Sequence, residues 1–348
     1  MPKEFNRRSF FNKSILSGAA AMGLTGLEQK TLLAGMEKDN DVNNAKQENK
    51  AGTKIPFGKL GNLKISRLIS GGNLLSGWCH QRDLLYVARL AKAYLTQKKQ
   101  FDTLELLEES GVNSIVIDMM QLEITNMYRN ERGGEMKTIV GVREDWGRWD
   151  NANWARLKTE IDKSIDSGAD TLFMHGGYCD RLVEAGKHRN VELLGKAIEY
   201  IRQQGYAAGL GSHSIYVPIE CDKLQIIPDY YFKTFHHDKY WSATPKEKRR
   251  KFCVDGELHL DHNEFHDNIF CLEPEKTAEY MKNKKQPWIA YKVLAAGAIH
   301  PMDGFKYAFE NGADFICVGM FDFEVVEDTV IARDVLKELK NRQRPWRA

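Results

Sequence analysis

The 348-residue sequence contains no C-x-x-C pair, no H-E-x-x-H segment and no G-x-G-x-x-G loop. The first two absences remove the tight-spacing signatures of a zinc site. The third removes the dinucleotide fingerprint of a doubly wound open sheet, because Gly71-Gly72-Asn73 does not match it. An excess of one charge is also missing. Fifty Lys and Arg face 48 Asp and Glu, a formal balance of +2, which leaves no electrostatic footprint for nucleic acid. The six cysteines are scattered at 79, 179, 221, 253, 271 and 317. Cys317 lies inside an apolar run and reads as core. The spread of the rest argues against a disulfide framework, though one or two bridges stay open.

The first 35 residues read as processing rather than fold. Asn6-Arg7-Arg8-Ser9-Phe10-Phe11-Asn12-Lys13 precedes a weakly apolar run over 14–27. Paired arginines, a following Phe and a mild apolar region resemble a twin-arginine export signal over 1–35. Alanines at 19–21 or at 34 are candidates for the cleavage site. The run is too short to span a bilayer, so no membrane span is expected in the mature protein. Such a signal implies export to the periplasm or to the membrane surface outside the cytoplasm. Residues 36–55 are mostly polar and read as a linker. Residues 56–348 then form the folded domain.

Seven short apolar runs in that domain end in polar or glycine clusters. They cover 114–118, 138–144, 171–175, 207–213, 230–237, 288–294 and 315–322, and an eighth strand covers 68–72. Helical patterns separate most of them. Residues 82–98 carry an apolar stripe of Leu84, Leu85, Val87, Ala88, Ala91 and Leu95. Further helices are expected over 102–110, 154–167, 191–204, 274–283, 302–311 and 324–341. Gly111-Val112-Asn113, Gly168-Ala169-Asp170 and Gly312-Ala313-Asp314 repeat one stop-then-strand grammar. This rhythm predicts an α/β protein, a (β/α)8 TIM barrel, with an N-terminal hairpin lid over 57–67 and Gly61-Asn62 near its turn. In a TIM barrel the carboxyl ends of the strands form the active-site face.

Several segments together resemble the aldo-keto reductase family. They are the opening 59–68, Ala290-Tyr291-Lys292-Val293-Leu294 near the seventh strand, 318–328 around the eighth, and 192–214. The resemblance covers roughly residues 57–338. It implies NAD(P)-dependent carbonyl reduction by an Asp, Tyr, Lys and His set. Asp118 and His175 match the Asp and His. Tyr128 is the nearest tyrosine to Asp118, and Arg143 stands where the family has its lysine. The resemblance places Gly319, Glu327 and Asp328 on the cofactor side. Phe321, Asp322 and Glu324 replace the residues that would clamp a 2′-phosphate, and carboxylates repel one.

Read without the family, the strand ends suggest another chemistry. Asp118, His175, His213 and His236 or His237 lie where strand ends converge. Such ligands suit a divalent metal that activates water or polarises a carbonyl. Glu144 is a further ligand or base. The alternative is that each histidine is a hydrogen-bonded structural group. His259, His262 and His266 read as a polar surface loop or as part of a wider cluster. Lys292 carries a separate expectation as a Schiff-base lysine, with Lys233 similar. Trp78, Trp146, Trp149, Trp154, Tyr178, Tyr216, Tyr240 and Trp241 suit stacking on a sugar. The leading reading is an exported enzyme acting on a small carbonyl or sugar-derived substrate. A divergent NAD(P)-dependent reductase and a non-catalytic binding barrel stand beside it.

Overall fold

Short runs of β-branched and aromatic residues, each stopped by glycine or a polar cluster, become strands buried on both faces. That is how parallel strands under a helical layer read. The strands are β1 Phe57–Leu60, β2 Leu63–Ser66, β3 Leu68–Gly71, β4 Ser114–Asp118, β5 Lys137–Val142, β6 Thr171–Met174, β7 Ala208–Ser212, β8 Tyr230–Thr234, β9 Trp288–Tyr291 and β10 Phe315–Val318. The computed structural model describes residues 54–80, 84, 86–144, 152–252 and 271–348. All of these lie in the unit Thr53–Ala348. The expected export signal, most of the linker, His259, His262, His266, Trp146, Trp149 and Cys253 lie outside the described residues.

Strands β3 to β10 pair in parallel and close in the order β10-β3-β4-β5-β6-β7-β8-β9. The helices follow in chain order: α1 Val87–Tyr94, α2 Gln97–Glu109, α3 Met119–Arg132, α4 Trp154–Asp166, α5 Gly176–Glu184, α6 His188–Gln203, α7 Tyr216–Lys223, α8 Pro274–Lys282, α9 Pro301–Glu310 and α10 Asp322–Glu338. This is the (β/α)8 barrel that the strand rhythm predicts. The single helix expected over 82–98 is corrected. The chain breaks at Leu95, and Thr96 caps a new helix by accepting the Lys99 N–H.

Alternation along the strands sorts the side chains into two layers. Ile69, Ile139, Phe173, Tyr230, Phe232, Ile289, Tyr291, Phe315 and Cys317 fill the barrel interior. Phe232 and Tyr291 stack there with centroids 4.0 Å apart. Their neighbours, such as Ile115, Leu172, Tyr231 and Trp288, face the helices.

The β1–β2 hairpin packs Leu60 and Ile65 against that interior set. It covers the amino-terminal end of the barrel, opposite the mouth, so it is a plug and not an active-site lid. Gly61 makes its turn at φ 58°, a left-handed conformation that glycine adopts without strain. Beside the plug, buried Asp314 pairs with Arg344 at 3.3 Å. Trp346 lies between the guanidinium groups of Arg67 at 3.7 Å and Arg342 at 3.4 Å.

The described cysteines, Cys79, Cys179, Cys221, Cys271 and Cys317, are free thiols. Among the described residues, no helix is long and apolar enough to cross a membrane.

Candidate active site

The mouth is built from residues that end or directly follow strands. Asp118 ends β4, Arg143 follows β5, His175 follows β6, His213 follows β7 and Lys292 follows β9. Asp118 Oδ2 pairs with Arg143 Nη2 at 3.2 Å, and both side chains keep some solvent access. Gln121, one turn into α3, accepts the Asp118 N–H at 2.6 Å and fixes the end of the strand. Arg143 therefore stands beside Asp118, where the resemblance expects a lysine. A guanidinium stays protonated, so it supplies fixed charge and not a proton.

The centre of the site is a pair that the strand ends alone do not announce. Asp180, on α5, is buried, and its Oδ2 lies 2.7 Å from His213 Nδ1. The same carboxylate accepts the backbone N–H of His213 at 3.0 Å and of Ser214 at 3.0 Å. When Asp180 is ionised, Nδ1–H donates to it and Nε2 is the atom left to exchange protons. The tight approach of α5 needs glycine. A Cβ at Gly176 would lie 2.5 Å from the Tyr291 hydroxyl and 3.4 Å from His213 Cε1. The Tyr291 hydroxyl itself donates to Ser212 O at 3.2 Å.

The charges of this group act on one another. Burial, then the positive charge of Lys292 and the neighbouring His175 and Lys233, hold His213 well below its usual range. Burial also lowers His175; Asp118 opposes that shift, and Arg143 and Lys292 reinforce it. Burial pushes Asp180 up to about 7, against the pull of the Ser214 and His213 backbone N–H groups and of Lys233. Lys292 Nζ lies 2.7 Å from His80 Nε2. Asp118, Arg143, His175, His213, Asp180 and Lys292 thus form one electrostatic cluster.

Other expected site residues lie elsewhere. Tyr128 sits near the end of α3, buried against Phe101 and donating to Glu108 at 2.5 Å. Its ring packs on Gly134, just before β5 begins, so it belongs to the opposite end of the barrel. Ten residues of helix span about 15 Å, which sequence proximity to Asp118 conceals. Glu144 is saturated by the Asn153 N–H at 2.7 Å, Arg156 at 2.6 Å and the Tyr178 hydroxyl at 2.8 Å. His236 directs Nδ1 to His237 O at 2.8 Å and accepts the Cys271 N–H on Nε2 at 3.3 Å. His237 accepts the Lys239 N–H at 3.1 Å, with its ring edge-on to Tyr307. Both rings serve the loop after β8.

Among the described residues no three His, Cys, Asp or Glu side chains gather as a metal site. The expected set Asp118, His175, His213, His236 and His237 does not fit a metal ion.

The aromatic set divides as well. Tyr178 is fully buried, whereas Trp78 and Trp241 are exposed. Trp154 stands edge-on to Tyr200, and Tyr216 packs on Phe252.

At the side that the resemblance gives to a cofactor, α10 opens on its own acid. Asp322 accepts the Tyr94 hydroxyl at 2.6 Å and pairs with Lys99 at 2.8 Å. Glu324 accepts the Phe321 N–H at 2.8 Å. Asp328 is buried, and Glu327 adds a like charge to it. Leu74 packs over Gly319. A helix start already holding paired carboxylates does not fit a 2′-phosphate.

Solved structures of similar fold were compared with the chain. A protein of Pseudomonas aeruginosa described as an aldo-keto reductase superimposes with a TM-score of 0.52 and 14% identity, over 80% of this chain and 95% of that one. The fold is one that aldo-keto reductases use. Gox0644 in its apo form gives a TM-score of 0.50 at 8% identity, over 84% of this chain and 97% of that one. A Gox0644 variant in complex with NADPH gives a TM-score of 0.50 at 9% identity, over 83% and 89%. No protein-family profile and no curated protein matches the sequence.

Proposed function

We propose that the chain is an enzyme that moves protons on a carbonyl- or sugar-derived small molecule at the barrel mouth. The observation that carries this reading is the Asp180–His213 pair at 2.7 Å, set beside His175 and the Asp118–Arg143 ion pair. The lowered His213 is unprotonated near neutral pH and ready to take a proton on Nε2. Asp180 holds the ring in that tautomer and stabilises the cation formed when it does. Arg143 and Lys292 supply positive charge for the oxygen that becomes negative when a carbon next to a carbonyl loses its proton. His175 returns or relays the proton. No step runs through a metal or a nicotinamide.

The experiment is solvent exchange. Folded protein is incubated in deuterated buffer with a panel of aldoses, ketoses and simple α-hydroxy carbonyls, and deuterium on carbon is followed by NMR. Exchange that disappears in His213→Ala supports the proposal. A panel without catalysed exchange overturns it.

The export reading belongs with this proposal: a twin-arginine signal at Arg7-Arg8 would deliver the folded barrel to the periplasm or to the membrane surface outside the cytoplasm. The reductase reading keeps the barrel, Asp118 and His175, yet Tyr128 and the start of α10 weigh against it. Quenching of tryptophan fluorescence by NADH or NADPH tests it.

A further inference from the structure

Lys292 enters the proton-transfer scheme only through its charge, yet its placement is unusual. Strand β9 alternates regularly: Ile289 and Tyr291 point into the barrel interior, and Trp288 and Ala290 face the helices. Lys292 comes next with φ at 56°, followed by Ala295 at 45° and Ala296 at 54°. Left-handed backbone at non-glycine residues costs free energy and clusters at functional sites. A lysine needed only for solubility would gain nothing from that strain. The turn instead carries the side chain to His80, on the loop after β3, with Nζ 2.7 Å from Nε2.

A nitrogen-to-nitrogen hydrogen bond needs one donor and one lone pair, so at least one of the two facing nitrogens is unprotonated. Burial and the charge of Lys292 hold His80 well below its usual range, so the neutral imidazole accepts from Lys292. His80 thus lies on the path by which the amine passes on its proton before its lone pair reacts. The charge of Lys292 acts on both His175 and His213, and all three residues follow strands at the same rim of the barrel. Lys233 is the rival, being buried, but it shares the outward side of β8 with Tyr231 and donates to Thr234 O at 2.8 Å and Thr234 Oγ1 at 2.9 Å. It serves the wall of the barrel.

We infer that Lys292 is the nucleophile of this site and joins the carbonyl carbon of the substrate as a Schiff base. This rests on the acid–base reading above, with the iminium formed on Lys292 taking the place of its ammonium charge, and narrows the substrate to an aldehyde or ketone bearing a removable proton on the adjacent carbon. The neutral amine adds to the carbonyl carbon as the C=O π bond breaks, and the alkoxide oxygen takes the proton that the amine had passed to His80. The resulting carbinolamine loses water to give the iminium. The iminium then draws electrons from the neighbouring C–H bond as His213 Nε2 takes that proton, leaving an enamine. Reprotonation and addition of water release the product and restore Lys292, so no oxidant or reductant is consumed.

Trapping tests the inference. The full chain is mixed with dihydroxyacetone or glycolaldehyde and sodium borohydride, which reduces an imine to a stable secondary amine, and the adduct is mapped by peptide mass spectrometry. The expected result is one adduct per chain on the peptide carrying Lys292. It should be lost in Lys292→Arg and in Lys292→Met, two variants checked for unchanged thermal melting. His80→Ala should slow trapping at least several-fold. An adduct on Lys233, or label spread evenly over surface lysines, overturns the inference. Deuterium exchange by the wild type without any adduct also overturns it, while leaving the acid–base reading in place. An adduct on Lys292 without exchange supports the lysine and removes His213 as the base.

Discussion

Asp180 Oδ2 and His213 Nδ1 lie 2.7 Å apart, joining a helix residue to a strand-end residue across the βα connection that forms the mouth. The carboxylate is held from two further directions by backbone N–H groups of His213 and Ser214, so the one group that touches the imidazole is itself fixed. Asp180→Asn keeps the size of the side chain and removes its charge. Turnover of any substrate found by solvent exchange should fall about 10²–10⁴-fold, the usual worth of a positioned acid–base group. The acidic limb of the pH–rate profile should move, and the circular dichroism spectrum should not.

The Asp118–Arg143 pair at 3.2 Å should behave as a unit. Arg143→Ala leaves the Asp118 charge uncompensated next to His175, which should raise the pKa of His175. Arg143→Lys should restore part of the activity, since a point charge replaces the fork but not its geometry. A double-mutant cycle with Asp118→Asn should return a coupling of about 0.5–3 kcal/mol on activity. Additive single effects would show that the two residues act separately.

Asp328 gives a pH dependence that can be checked by melting. Burial, with Glu324 and Glu327 nearby, pushes its carboxyl from 3.8 up to about 7. A folded-state value above the unfolded one means that stability is fully present below pH 3.8 and is lost as pH rises through about 7. Asp328→Asn removes the cost of ionising there. The variant should match or trail the wild type at pH 4 and melt higher than it at pH 8. Parallel melting curves across that range would refute the buried charge.

Arg7 and Arg8 carry the export prediction. Replacing both with Lys should leave the precursor in the cytoplasmic fraction of a host with the twin-arginine pathway, and wild-type protein should appear outside it. Equal distribution of the two forms would remove the signal reading.

The barrel itself was legible because its strands are uninterrupted apolar runs with polar ends. Runs predicted over 114–118 and 171–175 coincide with β4 and β6 to within one residue. Of the candidate site, the residues that end or follow strands could be placed from sequence: Asp118, Arg143, His175, His213 and Lys292. Asp180 escaped because it lies one helical turn and more beyond His175, on a helix whose first residues are glycines and whose pattern is too short to stand out. His80 lies on a loop with no periodicity at all. Tyr128 misled for the opposite reason, since nearness in sequence to a strand end says nothing about which end of a helix a residue occupies; Glu144 does follow β5, but its carboxylate is taken up by Asn153, Arg156 and Tyr178. His236 and His237 follow β8 directly, yet their rings bond to the loop that leaves it. Only backbone direction after the last strand residue separates those cases.

The β1–β2 hairpin stops the barrel from below, and the rings of Phe173, Phe232 and Tyr291 fill its waist. Within the described residues the barrel is therefore stoppered at one end and approachable only where its strands finish. If the proposed function holds, product departs by the way substrate arrived, and product inhibition should be competitive.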